Sequence, residues 1–149
     1  MKKRLGEGYV SADLFDPEAM VQMDVTDIQY PDASFDVIVC NHVLEHVDND
    51  MKAMQEFHRT LKGDGWAILS VPIGANPTFE DPSITDPKER LRLFGQEDHV
   101  RNYGPDFADR LRAAGFKVDV FTVGELVGSD EAVRMGLTSG AGDIFFCTK

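Results

Sequence analysis

Residues 24–47 read DVTDIQYPDASFDVIVCNHVLEHV, two acidic turns followed by one apolar run, and the reading of that run decides the fold. Val37, Ile38, Val39 and Cys40 stand unbroken between turn residues, the pattern of a strand covered on both faces. Such strands belong mainly to parallel sheets. In open α/β sheets ligands gather at the carboxyl ends of the strands, so Asp24/Val25 and Asn41/His42 mark the expected site.

Working outward, Tyr9 to Leu14 and Ala19 to Val25 read as two short strands carrying Asp13 and Asp24 near their carboxyl ends. A handful of residues joins them, whereas a parallel crossover usually takes about a dozen or more. Either carboxylate can also serve its own turn, Asp13 capping Asp16-Pro17-Glu18 and Asp24 the step to Thr26. Downstream, Val47, Met51, Met54, Phe57 and Leu61 recur at helical spacing, and Gly63 and Gly65 supply a turn with positive φ before a strand over 66–72. The stretch 74–103, interrupted by Pro77, Pro82 and Pro87, is expected to be a lid or binding loop. Gly104-Pro105-Asp106 starts a helix with Phe107, Leu111 and Ala114 on its apolar face and Gly115 at its end. Two strands, 116–123 and 143–148, close the chain around a glycine-rich segment.

With 149 residues, 42% hydrophobic and 28% charged, the chain is read as one globular domain, 1–149, able to bury an ordinary core. No apolar run reaches the ~18 residues of a membrane span, so no membrane partner is expected. The basic start Lys2, Lys3, Arg4 leads into Gly6-Glu7-Gly8 rather than an apolar stretch, which predicts a cytoplasmic protein. A net charge of −11 argues against nucleic acid and suits small neutral or cationic substrates. Cys40 and Cys147 sit in apolar runs and offer neither a disulfide framework nor metal-ligand spacing.

The order Asp24, Tyr30-Pro31-Asp32, Ser34-Phe35-Asp36, apolar strand, Leu44-Glu45-His46 resembles the class I S-adenosylmethionine (SAM) dependent methyltransferases of the small-molecule type. That resemblance implies a Rossmann-like, mostly parallel α/β sheet with an antiparallel C-terminal strand pair, SAM as cofactor, and methyl transfer to a small-molecule substrate. It assigns Asp13 to the ribose hydroxyls, Asp24 and the Val25 N–H to adenine, and Asn41 to the methionine part. A carboxylate suits a ribose because each of its oxygens can accept one hydroxyl. His46, and in the lid His99, Arg101 and Tyr103, are the candidate substrate contacts.

His42 and His46 flank Glu45 as His-x-x-Glu-His, a spacing that some zinc proteases use. His42 follows the strand too closely to share a helix with His46, so no metal is expected. The resemblance lacks its opening strand and glycine-rich turn, since Gly6-Glu7-Gly8 precedes a strand instead of following one. Weak SAM binding is therefore expected, with a slot left between the strands ending at Asp13 and starting at Asp36. The chain is then expected to be a truncated form, or to slide the strand of Tyr9 to Leu14 into that slot, or to fill it from a second copy as a homo-oligomer. A module that is catalytically inactive and acts through protein–protein binding is the alternative.

Overall fold

A computed structural model of the chain describes residues 8–134 and 142–149. The strand predicted from the apolar run forms as β3 (Phe35–Asn41) and pairs in parallel with β4 (Leu61–Ser70), aligning Val37 with Trp66 and Asn41 with Ser70. Between them lies α1 (Asp50–Thr60), whose start is capped by the Asn49 side chain accepting from the Lys52 N–H at 3.0 Å. Its stripe of Ala53, Met54 and Phe57 is buried, as the helical spacing requires. No positive φ marks its end; Leu61 is already extended, and β4 begins there. Gly65 is needed for a different reason, because a Cβ at that position would stand 2.8 Å from the Asp36 carbonyl across the ladder.

After β4 the chain leaves the sheet over 74–103. This excursion carries β5 (Phe79–Glu80), α2 (Pro87–Phe94) and β6 (Arg101–Asn102), with β5 and β6 antiparallel. Asp86 caps α2, Pro87 opens it and Gly95 ends it at φ 89°. The excursion closes on itself where Ile73 bridges Tyr103 and the Gly74 N–H donates to the Tyr103 carbonyl at 2.7 Å. Next come α3 (Phe107–Ala113), β7 (Lys117–Phe121), the short helices α4 (Val123–Val127) and α5 (Ser129–Arg134), and β8 (Ile144–Thr148). The segment read as a glycine-rich link thus begins as helix, and its residues 135–141 lie outside the described ones.

The main sheet runs β3-β4-β8-β7, with β8 antiparallel to both neighbours, so β3, β4 and β7 point one way. This is the mostly parallel α/β sheet with an antiparallel C-terminal pair that the sequence predicted. Its core lies on one face, where Ala67, Leu69, Phe145 and Cys147 meet Phe57 of α1 and Phe107 and Leu111 of α3. The other face of β3 is not covered by the described residues: Val37 is 42% and Val39 60% exposed. Here the sequence expectation of a strand buried on both sides is corrected, since an unbroken apolar run reports what a strand could bury and not what is there to bury it.

β1 (Ala12–Asp13) and β2 (Val21–Gln22) form a separate parallel pair, much shorter than predicted. They bridge the brief connection without a helix: the Val21 N–H donates to the Ser11 carbonyl and the Met23 N–H to the Asp13 carbonyl, at 3.1 and 3.0 Å. Among the described residues β1 does not pair with β3, so it has not slid into the slot.

Candidate functional site

Between the β1–β2 pair and β3 lies a cleft of about 700 Å³, within the usual range for small-ligand sites of roughly 300 to 1,000 Å³. Asp13, Asp24, Val25 and Asn41, each at or just beyond the carboxyl end of its strand, all line it. Its floor is apolar, made by Val10, Ile28, Ile38 and Phe57 among others.

The turns that follow β1 and β2 orient the two carboxylates. Asp13 Oδ1 accepts from the Phe15 and Asp16 N–H groups, both at 2.8 Å. Asp24 Oδ1 accepts from the N–H of Thr26 at 2.7 Å and from its hydroxyl at 2.8 Å. The capping roles weighed from sequence are therefore real, and each uses a single oxygen. The second oxygen of each carboxylate has no hydrogen-bond partner among the described residues. The Asp16 and then the Phe15 N–H hold the Asp13 carboxyl below its ordinary range, and the Thr26 backbone and hydroxyl do the same for Asp24. Both groups are anionic acceptors at neutral pH.

At the end of β3, Asn41 is exposed on the cleft, and His42 turns the chain sharply with φ 55°, its N–H held by the Ser70 carbonyl. A 3-10 turn, Leu44–His46, follows and carries Glu45 inward, where it is 2% exposed, while His46 stays on the cleft. Burial, then the neighbouring Glu45 carboxylate, push the Cys40 thiol up to about 12, so Cys40 is no nucleophile.

The lid candidates separate. His99 is buried, with its ring edge-on to His46 at 4.7 Å. Arg101, 2% exposed, donates to the carbonyls of Leu44, Val47 and Asp48 and to Glu80, which satisfies its fork entirely within the protein. Tyr103, 1% exposed, donates to Asp50 Oδ2 at 2.7 Å. Neither is among the residues that line the cleft, and both are held in contacts within the protein. Of the excursion 74–103, Asp98 alone lines the cleft. Residue type could not give this answer, because Arg and Tyr serve a buried carbonyl cluster as well as a ligand. Sequence reading also missed Asp50 and Arg110, which complete the Tyr103 network with an Arg110–Asp50 pair at 2.8 Å.

A mostly parallel sheet, an antiparallel terminal pair in the order β3-β4-β8-β7, and acidic strand ends around one cleft define the class I SAM-dependent methyltransferase fold. Residues 4–69 match the family described as "Methyltransferase domain". The chain is 32% identical over 74 residues to the uncharacterised methyltransferase YcgJ of Bacillus subtilis (strain 168), a match covering 50% of this chain and 28% of that protein. It resembles the 1,6-didemethyltoxoflavin N1-methyltransferase of Burkholderia thailandensis, solved with 1,6-didemethyltoxoflavin and S-adenosylhomocysteine, at 18% identity and a TM-score of 0.61. That likeness covers 93% of this chain and 59% of the other. The [4+2]-cyclase SpnF is also similar, at 18% identity and a TM-score of 0.55, over 85% of this chain and 55% of SpnF. In fold, and in these partial matches, the chain is similar to the class I SAM-dependent methyltransferases. It spans between a quarter and three fifths of the length of these relatives.

Proposed function

We propose that the cleft takes SAM and that the chain serves methyl transfer to a small-molecule acceptor. The observation that carries this reading is the convergence of Asp13, Asp24 and Asn41 on one cleft, with a spare oxygen on each carboxylate. In this reading Asp13 receives the ribose hydroxyls, Asp24 the adenine amino group and Val25 N–H the adjacent ring nitrogen. Asn41 lies against the methionine part, and His46 faces the acceptor from the cleft wall. Methyl transfer is an in-line displacement in which the sulfonium leaves as a thioether, so proximity and orientation carry most of the rate.

No glycine lines the cleft among the described residues, so no backbone cradle holds the methionine end there. Binding by this chain is accordingly weak. Amide shifts recorded with millimolar S-adenosylhomocysteine test the site: residues 13, 24, 25 and 41 respond, and Asp13→Ala abolishes the response. Shifts confined to other regions, or unchanged in the variant, would sink the assignment, and a low-micromolar dissociation constant by calorimetry would overturn its weakness.

A second reading, an inactive module that works through protein–protein binding, draws on the open edge of β3 and the exposed Val37 and Val39. The same edge supports assembly into a homo-oligomer. SpnF shows that likeness of fold leaves the reaction open, which keeps this reading in play. No helix among the described residues is long and apolar enough to cross a membrane. Cys40 and Cys147 are free and buried, which suits a reducing, cytoplasmic setting.

A further inference from the structure

At the cleft wall the fold brings His99 to two adjacent residues far from it in sequence, giving three potential ligands. Glu45, His46 and His99 can each bring one ligand atom to within 4.8 Å of the others. Two of these residues hold buried polar atoms with no partner, Glu45 Oε2 and His99 Nε2, on side chains that are 2% and 5% exposed. An orphaned carboxylate oxygen and an orphaned imidazole nitrogen in one buried place are each expensive, and one cation would satisfy both.

The unused nitrogens of both rings are already fixed. His99 Nδ1 lies 3.1 Å from the Phe94 carbonyl, which accepts its proton and leaves Nε2 as a bare lone pair. His46 Nδ1 faces Asp98 Oδ2 at 3.2 Å, leaving its Nε2 free in turn. A carbonyl or carboxylate on the far nitrogen is the arrangement that orients imidazoles on metals. The two arms are tied together by the Val100 N–H donating to the Glu45 carbonyl at 2.9 Å. His42, the partner that sequence spacing suggested, lies instead against Glu45 Oε1 at 3.4 Å with its side chain 65% exposed.

The geometry points to a divalent transition-metal site of the Zn²⁺ type, with Glu45, His46 and His99 as ligands and Asp98 as the positioning residue behind His46. Two imidazoles and one carboxylate suit first-row transition ions better than Mg²⁺ or Ca²⁺. Three protein ligands leave an open position, the mark of a working site and not of a closed structural one. Because His46 and Asp98 line the cleft, that position is open to water or another small oxygen donor there. This inference is independent of SAM binding.

The full chain, stripped with a chelator, is titrated with Zn²⁺ by calorimetry and loaded with Co²⁺ for visible spectroscopy. One ion per chain is expected, with the intense visible bands of a four- or five-coordinate Co²⁺ ion. His46→Gln and His99→Gln abolish both signals, and His58→Gln changes neither. Asp98→Asn, at an exposed position that leaves the fold intact, lowers affinity by about 10- to 100-fold. Should the buried His99→Gln variant fail to fold, His46→Gln and Asp98→Asn still decide the matter. No stoichiometric Zn²⁺ binding, or binding unaltered in His46→Gln and Asp98→Asn, would overturn the site.

Discussion

Asp50 is the buried acid on which Tyr103 at the end of the excursion and Arg110 of α3 meet α1. It is 3% exposed and accepts from Tyr103, while Arg110 reaches both of its oxygens at 2.8 Å. Burial, and then the Asp50 charge, drive the Tyr103 hydroxyl well above its ordinary range, so it acts only as a donor. Asp50→Ala removes the acceptor, strands the Tyr103 hydroxyl and leaves Arg110 only its longer bonds to Glu80. The expected loss is about 3 to 5 kcal/mol of unfolding free energy by urea titration, against about 1 kcal/mol for Tyr103→Phe. A smaller carboxylate network gives a pH signature. Glu56 accepts from Arg59 and from the Ile28 N–H, and Arg59 in turn holds the carbonyls of Ile28 and Tyr30. The Arg59 guanidinium depresses the Glu56 carboxyl, with burial opposing it and the Ile28 N–H assisting. A depressed carboxylate stabilises the fold above its unfolded value, near 4.3, and that stability fades as pH falls through the lower folded value. Glu56→Gln should therefore lose about 1.5 kcal/mol at pH 7, where solvent reaches the pair, and the gap to the parent should close below about pH 4. A gap that stays constant as pH falls from 7 through the acid range would falsify the assignment. The positions of Asp13, Asp24 and Asn41 at the cleft were legible because a strand's carboxyl end follows from local pattern. The company kept by Glu45 and His99 was not, because tertiary folding alone brings the two segments together.

The excursion 74–103 hangs from the sheet by a narrow neck, and Gly104 sits in it. A Cβ there would stand 2.0 Å from the Asn76 carbonyl oxygen and 2.7 Å from Thr78 N, backbone atoms that cannot swing aside. Asp106 fastens the same neck by accepting from the Thr78 N–H and hydroxyl, at 2.7 and 2.9 Å. Gly104→Ala should open the excursion while sparing the sheet. Hydrogen exchange reads this as faster exchange across 75–102 with β4 and β8 unchanged, and uniform acceleration of both would contradict it. In the parent the excursion should already exchange faster than β3, for its prolines leave few ladder bonds. At this scale β3, α1 and β4 were legible because apolar runs and 3.6-residue spacing survive any context. β1 and β2 shrank to two residues each, since pairing on one edge sustains only as much strand as the partner spans. The internal bonds of the excursion were hidden for a related reason: proline and glycine mark where regular structure stops, and not which loops clasp one another.

At the scale of the whole sheet, the described residues cover one side of it and leave β3 exposed on the other. β3 presents a row of backbone groups to the cleft and two exposed valines beside it, an arrangement that templates another chain. Light scattering at micromolar concentration should give at least twice the 16.6 kDa of one chain, and Val39→Lys should return it to a single copy without loss of thermal stability. A parent protein that stays monomeric at all concentrations would contradict this. The same edge bears on how the protein behaves as a colloid. At neutral pH a net charge of −11 keeps small assemblies from growing further, and near pH 4.6 that repulsion vanishes while the valines remain. Solubility should therefore pass through a sharp minimum in mild acid, a turbidity threshold set by one strand of seven residues.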